Sequence, residues 1–106
     1  MMFLSEQDKY SSKRATMMAS HNAGMEAYSL GQYSEAINYF IEAQKTMPAN
    51  ASIAINLLQA ISQRGRLNED LIYLAHKCMN VIDDAELPKD QRKRYSFIKE
   101  QIQQML

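Results

Sequence analysis

Few side chains in this sequence can do chemistry, and their spacing limits what that chemistry could be. His76-Lys77-Cys78 is the closest approach of a histidine to the single cysteine. A structural zinc site takes about four ligands, and neither a second cysteine nor a suitably spaced histidine accompanies this pair. Cys78 instead keeps helical register with Leu71, Leu74, Ala75 and Ile82, so it reads as a buried thiol on an apolar stripe. His21 has no serine or cysteine that the sequence places beside it. Asp83 and Asp84 are adjacent, and neighbours on a helix diverge by about 100°, which separates them as an acid–base pair. There is no glycine-rich phosphate loop. The expectation is a protein that is not an enzyme and that carries no metal and no cofactor. Asn22 and Asn56, which recur at one internal period of the chain, are of another kind: an amide both donates and accepts, as a peptide backbone does.

The elements that must position these groups are constrained by composition. The 106 residues make one domain, 1–106, with a modest core. Twelve basic and 12 acidic residues cancel to a formal charge of +0, so no long-range field favours nucleic acid or an anionic membrane. The densest basic group is Lys89, Arg92, Lys93 and Arg94, interrupted by Asp90, and it reads as a solvated helix face. A single cysteine precludes an intramolecular disulfide and fits a reducing cytoplasm. The N-terminal MMFLSEQDKY lacks the apolar core of a signal peptide, and no apolar run approaches the ~20 residues that span a bilayer. The expected location is cytoplasmic. With 3 glycines, 2 prolines and no strand-like alternation, the chain should be helical almost throughout.

In order, residues 1–14 form an N-terminal segment in which Phe3, Leu4 and Tyr10 could anchor a short helix and Ser5, Ser11 and Ser12 suggest a cap. Ser12 to Leu30 reads as a long helix with Ala15, Met18 or Ala19, Ala23 and Ala27 toward one side. Gly24 lies inside it at a cost of about 1 kcal/mol relative to alanine, which marks a close approach by a neighbour. Gly31 follows its C-terminus. Ser34 is placed to cap a second helix bearing Ala36, Ile37, Phe40, Ile41 and Ala43, stopped by Pro48. Ala51 to Arg64 carries Ile53, Ala54, Leu57, Leu58, Ala60 and Ile61, too many apolar residues for one stripe, so this helix should be buried on two sides and ended by Gly65. Asn68 can cap a fourth helix bearing Leu71, Leu74, Ala75, Cys78 and Ile82. Pro88 suits the first turn of a last helix with Tyr95, Ile98, Ile102 and Met105 along one face.

An internal period underlies these helices. Gly31 and Gly65 stand at the same separation as Asn22 and Asn56, Tyr33 and Leu67, Ile37 and Leu71, and Phe40 and Leu74. That separation is the length of one helix-pair repeat, about 34 residues. Within "NAGMEAYSLGQYSEAINYFIEAQKTMP", the residues Gly24, Gly31, Tyr33, Glu35, Ala36, Tyr39, Phe40, Ala43 and Pro48 resemble the tetratricopeptide repeat (TPR) family. The first repeat covers 17–50. The second, 51–84, is degenerate: Asp70 stands in place of Ala36, Leu58 in place of Gly24 and Lys77 in place of Ala43. Ile82 rather than a proline closes the unit, the next proline being Pro88, so the closing helix is expected to be longer or rotated. The resemblance spans about Met17 to Ile82. It implies an all-α fold, a short right-handed α-solenoid of antiparallel helix pairs with 88–106 as a capping helix. The ending "LPKDQRKRYSFIKEQI" also resembles, more faintly, the C-terminal helical region of bacterial response regulators that join a receiver domain to such repeats.

In that family the asparagine at the positions of Asn22 and Asn56 lies on the concave groove, where it holds the backbone of an extended peptide. The alternative is that each asparagine bonds within its own helix turn. His21, Met25, Tyr28, Ser52, Ile55 and Gln59 would share that face. Met17, Met18 and Met25 could form an adaptable binding surface or pack internally. The basic pair with which some relatives grip a terminal carboxylate is not evident, since His21 and Met25 occupy those positions. The resemblance therefore implies a protein or peptide partner bound between helices 17–30 and 51–64, within bacterial signalling. The rival expectation is a structural module that homodimerises or spaces an attached domain, because two repeats are fewer than the roughly three such folds need. Sedimentation as a strict monomer would remove self-association.

Overall fold

The computed structural model of the chain describes residues 6–106, with side chains from Ser11 onward. The expected anchors Phe3, Leu4 and Tyr10 and the cap Ser5 lie outside the described residues or side chains. Five helices follow one another: α1 (Glu6–Ser29), α2 (Tyr33–Thr46), α3 (Ala51–Arg64), α4 (Glu69–Asp83) and α5 (Lys89–Met105). The fold is all-helical, with no strand among the described residues. No described helix is long and apolar enough to cross a membrane.

Local chemistry accounts for the boundaries. Gly31 takes φ +75° after α1, and Gly65 takes φ +69° after α3, backbone states that side chains with a Cβ rarely adopt. Asn50 and Asn68 cap α3 and α4, each Oδ1 accepting from the backbone N–H three residues on, at 3.1 and 2.8 Å. Pro88 occupies the N-cap position of α5, one residue earlier than expected. Ser34 is not a cap. Helix α2 begins at Tyr33 with Gln32 at its N-cap, and the Ser34 hydroxyl accepts from Arg64 Nε at 3.0 Å. Arg64 Nη1 also donates to the Arg66 carbonyl at 3.1 Å, so one guanidinium ties the start of α2 to the end of α3.

Packing proceeds from α1 onto α2, from α2 onto α3, and from α3 onto both α4 and α5. The two-sided burial expected of α3 is present: Ile53, Ala54, Ile55, Leu57, Leu58, Ala60 and Ile61 are all at most 1% exposed. Helix α4 buries Ala75, Cys78, Met79 and Ile82, and α5 buries Tyr95, Ile98 and Ile102. Helix α4 has 15 residues against 14 for α2, so it is longer by one.

Helix α1 departs from expectation twice. It begins by Glu6 rather than near Ser12, and its inward face is not the alanine stripe. Ala15, Met18 and Ala19 are exposed, while Met17, Ser20, His21, Gly24, Ala27 and Tyr28 turn inward. The ring of Phe40, 1% exposed, fixes this rotation. A Cβ on Gly24 would stand 2.6 Å from Phe40 Cε1 and 2.7 Å from Cδ1, so only glycine lets the ring lie against the backbone of α1. Small alanines bury little area and do not decide which way a helix turns.

Helix α5 is held at the end of α4 by polar contacts. The Tyr95 hydroxyl donates to Asp83 Oδ1 at 2.7 Å, and Lys99 Nζ lies 3.5 Å from Asp83 Oδ2. Burial, and then the bond to Asp83, push the Tyr95 phenol above its usual range.

Candidate functional site

Helices α1, α3 and α5 each present one stripe to a shared cleft. From α1 come His21, Met25 and Tyr28, at the i, i+4, i+7 spacing that stacks side chains on one helix face. From α3 come Asn56 and Gln59, one turn apart, and from α5 comes Arg94. Met25, Tyr28, Phe40, Asn56, Gln59 and Arg94 enclose a recess of about 60 Å³, far below the roughly 300–1,000 Å³ of sites that engulf a small molecule. Phe40 contributes from α2, its ring centroid 5.6 Å from that of His21.

A continuous hydrogen-bond chain crosses this cleft. Arg94 Nη2 donates to Asn56 Oδ1 at 2.9 Å, and Asn56 Nδ2 lies 2.7 Å from His21 Nε2. Arg94 Nε donates to Gln59 Oε1 at 3.1 Å, and Nη2 shares the same oxygen. The guanidinium has only donors, so it orients the Asn56 amide with its oxygen toward α5 and its NH2 toward α1. His21 Nε2 must then accept, which places the ring proton on Nδ1. Burial lowers the His21 pKa below the usual histidine value. Burial raises Tyr28, with Tyr33 adding to the shift and Arg94 opposing it; the Tyr28 and Tyr33 rings meet edge to face at 5.3 Å.

Of the residues expected at the groove, His21, Met25, Tyr28, Asn56 and Gln59 gather here. Ile55 does not line the cleft: its side chain is 1% exposed and belongs to the core behind it. Asn22 is exposed and makes no hydrogen bond to His21, Asn56, Gln59 or Arg94, because one residue along a helix turns the side chain by about 100°. Ser52 is exposed in the first turn of α3. Met25 is 48% exposed and Met18 46%.

Arg94 is the residue that sequence reasoning assigned elsewhere. In sequence it belongs to the basic run with Lys89, Arg92 and Lys93; all four are exposed, and Arg94 reaches back across the surface to α3. Its one available signal is its place next to Tyr95 in the buried stripe of α5, which puts it on the flank of that stripe.

The remaining chemistry is structural. Cys78 is buried, its thiol pushed up to about 11 by burial, with Gln44 Nε2 donating to Sγ at 3.7 Å. Among the described residues no group of three or more His, Cys, Asp or Glu side chains is placed to hold a metal. A larger and more open recess of about 460 Å³ lies beside Lys13, Arg14 and the 46–50 turn. The hydrogen bond made by a side chain lining it, from Ile53 N to Asn50 Oδ1, caps α3. No family model matches the chain, and neither the curated proteins nor the solved structures contain a significant match to it.

Proposed function

We propose that this chain is a non-enzymatic interaction module that binds an extended peptide of a partner protein along the α1–α3–α5 cleft, within a short TPR-like solenoid capped by α5. The observation that carries this reading is the meeting of Asn56, Gln59 and Arg94 at one cleft beside Met25, Tyr28 and Phe40. Two amides supply donors and acceptors for a peptide backbone without reading its side chains. Arg94 is the single charged group lining the cleft, and no carboxylate lines it. The favoured occupant is therefore a peptide bearing an acidic group, whose oxygens would take over the guanidinium donors now given to Asn56 and Gln59. The 34-residue period supports the solenoid: Gln44 and Cys78, which touch, stand at that same offset. The resemblance of the C-terminal helix to response-regulator tails favours bacterial signalling as the setting.

Selection from a random peptide display library tests the reading without a known partner. Peptides enriched in Asp or Glu are expected. Their affinity should fall about 10-fold or more with Asn56→Ala or Arg94→Ala, the loss of one charge-assisted hydrogen bond. Asn22→Ala should change it little. Selected peptides without acidic residues, or binding untouched by both Asn56→Ala and Arg94→Ala, would overturn the assignment.

A further inference from the structure

As found, the cleft is closed to the peptide proposed for it. Arg94 reaches from α5 to α3 and gives its donors to Asn56 and Gln59, and the space left is about 60 Å³. An incoming acidic group must first separate Arg94 from these amides. What holds them together extends one residue further, to His21 on α1.

We propose that His21, Asn56 and Arg94 form a proton-sensitive latch across the cleft: neutral His21 fixes the Asn56 amide so that Arg94 bars entry, and protonated His21 releases it. The inference rests on the peptide-binding reading for its purpose, but the latch itself is a property of the free protein. Its basis is donor counting. An asparagine amide offers one oxygen and one NH2, and it can serve two neighbours at opposite ends only if one donates and the other accepts. Arg94 always donates. With His21 neutral and its proton on Nδ1, Nε2 accepts from Asn56 Nδ2 at 2.7 Å and the chain is satisfied. Once Nε2 carries a proton, the amide stands between two donors. If it stays, two N–H groups face each other across that same short contact; if it flips, its NH2 faces the guanidinium. Either way one contact is lost, and a second positive charge is added on the Arg94 side of the fold.

No ionic partner compensates for that charge. One turn away on α1, His21 has Met17, Met18, Gly24 and Met25; α2 offers the Phe40 ring, α3 the neutral Asn56 and, beyond it, Gln59, and α5 only Arg94. Tyr28, the nearest titratable group on the same stripe of α1, has its pKa raised and stays neutral throughout the histidine range. Burial works in the same direction, keeping the ring neutral until the pH falls below the ordinary histidine value of 6.5. Above that window the cleft is barred. Below it Arg94 is freed while peptide carboxylates, with pKa values near 4, remain ionised, so acidic peptides should bind more tightly as the pH falls through the His21 titration.

Nitrogen-15 NMR of the intact, unliganded protein tests the latch. At pH 8 the His21 ring should show the Nδ1–H tautomer. As the pH falls, the Arg94 Nε–H should exchange with water about 10-fold faster relative to Arg92, with the same midpoint as His21. An Nε2–H tautomer at pH 8, or an Arg94/Arg92 ratio that stays flat while His21 titrates, overturns the proposal. His21→Gln, whose side-chain oxygen can accept at every pH, should keep Arg94 protected throughout. Continued loosening of Arg94 in that variant at the wild-type midpoint would show that another group is the sensor and sink the latch.

Discussion

In the α1–α2 pair, the contact closes on a glycine: Phe40 lies against the backbone of α1 where Gly24 leaves room for it. The matching positions one repeat later, in the α3–α4 pair, are Leu58 and Leu74. Leu58 is fully buried and Leu74 half-buried, so this contact is made by aliphatic chains rather than by a ring in a gap. The flanks differ as well. Ala36 and Ala43 on α2 are both 0% exposed, whereas Asp70 and Lys77, at the same offset on α4, lie in solvent. Neighbours explain this: α2 is packed between α1 and α3, while α4 leans on α3 and the next helix, α5, packs mainly on α3 as well. The drift of the second copy follows where burial relaxes. A position that no helix covers can take a charge, and one pressed between two helices cannot.

That contrast also shows how much could be read beforehand. The helix ends were legible because Gly31, Gly65, Pro48 and Asn68 act through their own backbone preferences or local capping. The burial of α3 on two sides was legible because its apolar residues outnumber a single stripe. The same surplus hid the direction of Ile55, since spacing alone does not say which buried side faces a cleft. The rotation of α1 was illegible because its exposed and buried faces both carry small residues, and the deciding atom group, the Phe40 ring, belongs to another helix. Arg94 was illegible for a related reason: its partners Asn56 and Gln59 lie 38 and 35 residues away.

The sharpest way to break the comparison is to remove the ring. Phe40→Ala should cost about 3–5 kcal/mol in urea unfolding, because a fully buried aromatic leaves a cavity that the glycine beside it cannot fill. Leu74→Ala, at the matching position of the second pair, should cost roughly 1–2 kcal/mol, since only part of that side chain leaves water. Equal losses would mean that the two pairs are packed alike.

Gly24→Ala is the next largest. Alanine gains about 1 kcal/mol of helix propensity, but the new methyl would stand 2.6 Å from a ring that is 1% exposed. Overpacking of this kind costs about 1–3 kcal/mol, so a net loss of roughly 1–2 kcal/mol is expected. The loss should shrink when Phe40→Leu is added, because the two sites are in contact and their effects do not add. A rise in Tm for Gly24→Ala alone would mean that the ring has room to retreat, and the glycine would then not be what turns α1.

Lys77→Ala should produce the smallest change and bears on the exposed flank. Lys77 is exposed on α4 where Ala43 on α2 is fully buried. Substitution of a solvated lysine by alanine in a helix shifts stability by no more than about 0.5 kcal/mol, and alanine's propensity tilts the sign toward a slight gain. The urea midpoint should therefore stay where it is at every protein concentration. A midpoint that moves with concentration, and differently in the variant, would place this flank of α4 against a second copy of the chain. Lys77 would then be an interface residue, and the difference between the two helix pairs would reflect which partner covers each rather than whether one does.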